Sequence, residues 1–140
     1  MAIKKQEFYE GAALYLLART GQVRSIRHEP PFFVLNESLC VYLKYSTKGR
    51  SPWGFTFMPA EQTVLQERAP ESAIVIGLVC GADGVAALPY EAYRSIAATR
   101  PSAIHIGCYR AHNEHYQLKG PDGALVGKIA PSNWQRIIDG

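Results

Sequence analysis

Long hydrophobic runs are missing from this 140-residue chain. None approaches the roughly 20 consecutive apolar residues that a membrane-crossing helix needs. Cysteine is scarce and scattered: Cys40, Cys80 and Cys108 form no CxxC pair and no zinc-finger spacing. A disulfide framework and a structural zinc site are therefore excluded, and each thiol, set in an apolar stretch, reads as a buried, reduced small hydrophobe. The Gly-x4-Gly-Lys frame of a phosphate-cradling loop is absent, as is the Gly-x-Ser-x-Gly elbow of a serine hydrolase. Repeats, linkers and low-complexity tracts are absent too. The opening Met1-Ala2-Ile3-Lys4-Lys5-Gln6-Glu7 lacks the apolar core of a secretory leader. The expectation is a cytoplasmic protein without membrane contact.

The most informative absence is that of acids. Between Glu37 and Glu61 there is no Asp or Glu, while Lys44, Lys48 and Arg50 all fall there. The surplus of this one stretch equals the net charge of the whole chain, +3. A total this small does not by itself mark a nucleic-acid-binding protein, but its concentration in one segment makes a local positive field.

What is present describes one domain, residues 1–140, with a full core. The content is 47% hydrophobic and 19% charged, ordinary for a globular chain, and this length supports a core without metal or disulfide. Residues 4–19 read as a helix whose apolar face carries Phe8, Ala12, Tyr15 and Leu16, widened by Leu14 and Leu17, with Gly21 as its stop. Strands follow at 23–28, 32–35, 39–45 and 53–57, the first ended by Pro30-Pro31. Pro59 opens a second helix over 60–68. Residues 73–80, AIVIGLVC, form a continuous apolar run, the mark of a strand buried on both faces. Gly81-Ala82-Asp83-Gly84 turns it into 85–88. A third helix spans 89–100, a strand 103–109, and a hairpin around Gly120-Pro121-Asp122-Gly123 links 115–118 to 124–129. A last helical turn from Pro131 carries Trp134 and Ile137. The expected architecture is α+β, a single mixed β-sheet with flanking helices in the order αβββαββαβββ.

The order α–β–β–β–α–β over residues 4–80 resembles the core of the restriction-endonuclease-like fold, the PD-(D/E)XK superfamily. Val41-Tyr42-Leu43-Lys44 falls where that family carries its acidic-x-Lys strand. The resemblance implies Lys44 as the family's lysine, with Asn36 or Glu37 nearest the position of the first carboxylate, or Glu7 or Glu10 reaching it from the first helix. Tyr42 stands where the second carboxylate belongs, so the implied domain is degenerate or non-catalytic. Separately, Lys44-Tyr45-Ser46-Thr47-Lys48 with Ser51-Pro52-Trp53 and Phe55-Thr56-Phe57, followed by the Leu78 to Gly84 hairpin, is similar to a group of uncharacterised bacterial proteins.

The candidate site is Lys44, Tyr45, Ser46, Thr47, Lys48, Arg50, Ser51 and Trp53. Phosphate recognition calls for cations, hydroxyls and loop N–H groups, and Tyr45 and Trp53 are of a type that stacks on bases. The competing view of the segment is a solvated loop with Trp53 plugging the core. His105, His112 and His115 invite a metal or acid–base role, but His105 lies in an apolar strand and Glu114 is the one acid nearby in sequence. No catalytic residue, metal or cofactor is assigned. Three readings stay open: a nuclease-like domain contacting nucleic acid or another phosphate-bearing ligand, a protein-interaction module or homodimer, and a metal-dependent nuclease.

Overall fold

The apolar run 73–80 is the centre of the architecture. In the computed structural model, which describes residues 2–138, it is β5 (Ala73–Cys80). It pairs in parallel with β3 (Leu39–Ser46) along its whole length and antiparallel with β6 (Gly84–Pro89). β2 (Phe32–Leu35) and β1 (Ile26–Glu29) complete the sheet, giving the order β1-β2-β3-β5-β6. Parallel neighbours need a crossover, and here it carries β4 (Trp53–Phe57) and helix α2 (Pro59–Arg68). Successive side chains leave a strand on opposite faces. Thus Cys40, Tyr42, Ile74, Ile76 and Leu78 enter one core, while Val41, Leu43 and Val79 enter another. Two buried faces explain why β5 has no polar alternation.

Covering the first face are α2, α3 (Tyr90–Ile96) and a second sheet, in which β4, β7 (Ile104–Tyr109), β8 (Gln117–Gly120) and β9 (Gly123–Ala124) run antiparallel. Against the other face lie α1 (Lys5–Ala18) and the 3-10 turn η1 (Pro131–Arg136). Glu7 and Glu61 each accept a hydrogen bond from the backbone N–H just before their helix, Lys4 and Met58, at 2.8 Å. Among the described residues no helix is long and apolar enough to cross a membrane.

The α+β class, the mixed sheet and the flanking helices are as expected, but the strands divide between two sheets instead of forming a single one. The strand expected at 53–57 is present as β4, so four strands separate α1 from α2 where the order αβββα counts three, and the fourth belongs to the second sheet. Its partner β7 lies some fifty residues away, with Trp53 opposite Cys108 and Phe57 opposite Ile104. The alternation of β4 is indistinguishable from that of a strand in the first sheet. Helix α1 needs a second correction. Phe8 and Tyr15 are 62% and 65% exposed, whereas Ala13 and Leu17 are fully buried. Two docking partners select that face: Tyr45 stacks on Tyr9 at 5.2 Å, and the Trp134 indole donates to the Ala13 carbonyl at 2.9 Å. The three cysteines are free and buried. Cys80 and Cys108 lie sulfur to sulfur at 3.7 Å across the two sheets, and that contact, with burial, pushes the Cys80 thiol up.

Candidate functional site

Lys44 leaves β3 on the side facing α2. There its ammonium donates to Glu61 Oε1 at 2.6 Å, and the Tyr42 hydroxyl donates to the same oxygen at 2.5 Å. Glu61 Oε2 accepts from the Met58 N–H, so both carboxylate oxygens are engaged. Burial alone would raise the Glu61 carboxyl, but Lys44 and Tyr42 outweigh it and the net shift is downward. Burial, and then Glu61, push the Tyr42 phenol up, which keeps it a donor. Lys44 is therefore neutralised and does not act with Lys48 and Arg50. A cleft of about 470 Å³ opens beside it, lined also by Glu10 and His28. In that cleft the two carboxylates, Glu10 and Glu61, outnumber the one ammonium.

A pH test follows from this arrangement. The folded value of Glu61 lies below its ordinary value of 4.5, so its stabilisation is complete above that value and is lost as pH falls through the depressed folded value. Glu61→Gln should cost about 1–3 kcal/mol at neutral pH and flatten the acid limb of stability against pH. Urea midpoints measured from about pH 6 to 3 check this. An unchanged limb would disconnect Glu61 from acid stability.

The remainder of the predicted segment forms the loop 47–52 between β3 and β4, and it is anchored from several sides. The Gly81 N–H donates to the Ser46 carbonyl at 2.9 Å, and the Trp53 indole donates to the Lys48 carbonyl at 3.0 Å. The Arg110 N–H donates to Ser51 Oγ at 2.9 Å. Trp53 is 2% exposed, so it holds the loop from beneath and offers no stacking face. Tyr45 is engaged with Tyr9. Thr47, Lys48 and Arg50 are exposed, and neither Lys48 nor Arg50 forms an ion pair among the described residues.

Across from this loop runs the segment after β7. It contributes Arg110 and His112 to a cleft of about 230 Å³ shared with Arg50, Ser51 and Asp83. Arg110 is held rigidly. Its Nη1 donates to Asp83 Oδ2 at 2.7 Å, its Nε donates to the Glu114 carbonyl at 2.7 Å, and its guanidinium lies 5.2 Å over the Tyr116 ring. The buried Tyr116 hydroxyl donates to the same Asp83 oxygen. Two cations, Arg50 and Arg110, thus line a cleft that holds one acid, Asp83, while Lys48 is exposed on the adjoining loop. Such a site attracts a dianion and can supply guanidinium, hydroxyl and backbone donors to it.

The structure therefore divides the predicted residues. Lys48, Arg50 and Ser51 are brought together, Trp53 supports them, and Lys44 and Tyr45 are committed to contacts elsewhere. Arg110 escaped sequence reasoning because only the β4–β7 pairing brings it within reach of a serine 59 residues away. His112 stood out only as a metal or acid–base candidate. Among the described residues no three His, Cys, Asp or Glu side chains converge as a metal-holding group. Comparison with protein-family models, with curated proteins and with solved structures gives no match.

Proposed function

We propose that this chain binds a phosphate-bearing ligand, nucleic acid foremost, in the cleft between loop 47–52 and the segment after β7, as a non-catalytic, nuclease-like domain. The observation that carries the reading is that Arg50 shares the cleft with the fixed Arg110 guanidinium and that, among the described residues, neither Arg50 nor its loop neighbour Lys48 forms an ion pair. Support for the nuclease-like part comes from the order α1, β1, β2, β3, β4, α2, β5, in which β4 is diverted to the second sheet and β3 is parallel to β5. The family's lysine position, Lys44, is held by a single carboxylate, Glu61, whose oxygens are both occupied. That favours binding over metal-dependent cleavage.

Phosphate contacts release counterions, so binding falls steeply with salt. For a fluorescent oligonucleotide titrated between about 50 and 200 mM salt, the double substitution Lys48→Ala/Arg50→Ala should weaken binding about tenfold or more and lower the log–log salt slope by about one per cation removed. The control is Lys5→Ala, remote on α1. Unchanged affinity and slope in the double variant would remove the reading. The outward face of α1 favours a second reading, a protein-interaction surface, because Phe8 and Tyr15 are each more than 60% exposed there. Binding at that face would be insensitive to salt and abolished by Phe8→Ser/Tyr15→Ser.

A further inference from the structure

The second sheet buries one face through Trp53, Phe55, Ile104, Ile106 and Leu118 and leaves the other open. The pairing register lays out the open face. Gly54 lies opposite Gly107, which lies opposite Lys119; Thr56 is beside His105, and Tyr109 is beside Gln117. Two glycines side by side make a shelf floored by backbone alone. The outer part of the Tyr109 ring leans over Gly107, where an added Cβ would meet ring atoms at 2.9 Å. This accounts for Gly107. Among the described residues nothing accounts for Gly54: an added Cβ there meets no atom within 4 Å. A glycine inside a strand costs about 0.5–1 kcal/mol and commonly marks close approach of another molecule. Tyr109 is 40% exposed, and the flexible Lys119 side chain carries its ammonium over the ring, 5.2 Å from the centroid, where a base would displace it. β4, β7 and β8 contain no Asp or Glu, so the face opposes no anion.

The shelf also continues the proposed phosphate site. Tyr109 directly precedes Arg110. Loop 47–52 enters β4 at the strand end where β7 leaves, because Trp53 is opposite Cys108. A backbone phosphate held by Arg50 and Arg110 would deliver the neighbouring nucleotide to the Tyr109 end of the shelf. An aromatic ring can stack only on a base that is free of its duplex, and this flat face projects no helix or ribbon to enter a groove.

We infer that the open face of the second sheet is a stacking platform for single-stranded nucleic acid, with the outer face of the Tyr109 ring against a base, the open space at Gly54 beside it and the mobile Lys119 side chain at its edge. This rests on the phosphate-binding reading of the adjoining cleft.

The test measures fluorescence anisotropy of labelled oligouridylate and oligothymidylate of about a dozen nucleotides, with a blunt duplex of equal length for comparison and inorganic polyphosphate as competitor. Single strands should bind at least about tenfold tighter than duplex. Tyr109→Ala should weaken single-strand binding about 5- to 100-fold, while Tyr109→Phe stays within about twofold because it keeps the π-face. Gly54→Val should weaken it similarly with an unchanged Tm, since the added side chain meets open space and suits a strand. Competition by polyphosphate should be indifferent to Tyr109→Ala. Salt-sensitive binding that depends on Lys48 and Arg50 but ignores Tyr109→Ala and Gly54→Val, or that favours duplex equally, overturns the platform and leaves the phosphate reading standing. Absence of any salt-sensitive binding overturns both.

Discussion

Trp134→Ala should destabilise the protein by about 3–5 kcal/mol, a large part of the stability of an ordinary domain. The residue lies in a short 3-10 turn near the end of the described chain, where a large effect is not usual. Its indole is nevertheless fully buried. It inserts between α1 and the first sheet, where it occupies the space above Gly77: an added Cβ at Gly77 would stand 2.9 Å from the ring. Deleting the indole empties that space and leaves the Ala13 carbonyl without the Trp134 Nε1 donor. Trp134→Phe refills much of the volume without restoring the hydrogen bond, so it should fall between wild type and alanine. Urea unfolding of the three proteins checks the order. A loss below about 1 kcal/mol for alanine, the range of an ordinary surface change, would mean that η1 is peripheral to the core.

Trp134 also illustrates what the amino-acid order reveals. Its place in a helical turn after Pro131 is readable from Pro, Trp and Ile spacing. Its partner is not, because Ala13 lies 121 residues away. The same division runs through the molecule. The hairpin from β5 to β6 is legible in an apolar run followed by Gly-Ala-Asp-Gly, since strand, turn and partner are contiguous. The inward face of α1 is not, because apolar residues surround the helix. The choice of Ala13 and Leu17 over Phe8 and Tyr15 was made by Tyr45 and Trp134 from other elements. At the site, the shortage of acids between Glu37 and Glu61 singled out the loop, and among the described residues Lys48 and Arg50 form no ion pair. The same shortage misled about Lys44, because a helix brings Glu61, the residue that ends the acid-free stretch, back against it. Local charge counts reveal which residues are charged, and only tertiary pairing decides which charges remain free. Arg110 and Tyr109 had no local signal, since their value comes from strand register.

The most direct link between fold and site passes through Gly81, and Gly81→Ala should damage both. The residue has φ of +54°, and an added Cβ would stand 2.2 Å from the Lys48 carbonyl oxygen. That oxygen already accepts the Trp53 indole bond, while the Gly81 N–H holds the Ser46 carbonyl. No small relaxation accommodates a methyl at this distance, so the loop must lift away or the turn after β5 must move. Left-handed strain and the loss of an anchoring hydrogen bond together predict a cost of about 2–4 kcal/mol. The functional consequence separates this substitution from an ordinary destabilising one. All cations remain, yet the loop that carries Lys48 and Arg50 is displaced and Arg50 leaves the cleft it shares with Arg110, so oligonucleotide affinity and salt slope should fall toward those of the Lys48→Ala/Arg50→Ala protein at a temperature where Gly81→Ala is still folded. Gly49→Ala is the matched control: it lies in the same loop with open space around an added Cβ and should leave both properties nearly unchanged. If Gly81→Ala keeps full affinity while losing stability, loop position is irrelevant to binding and the cations act only through their overall charge.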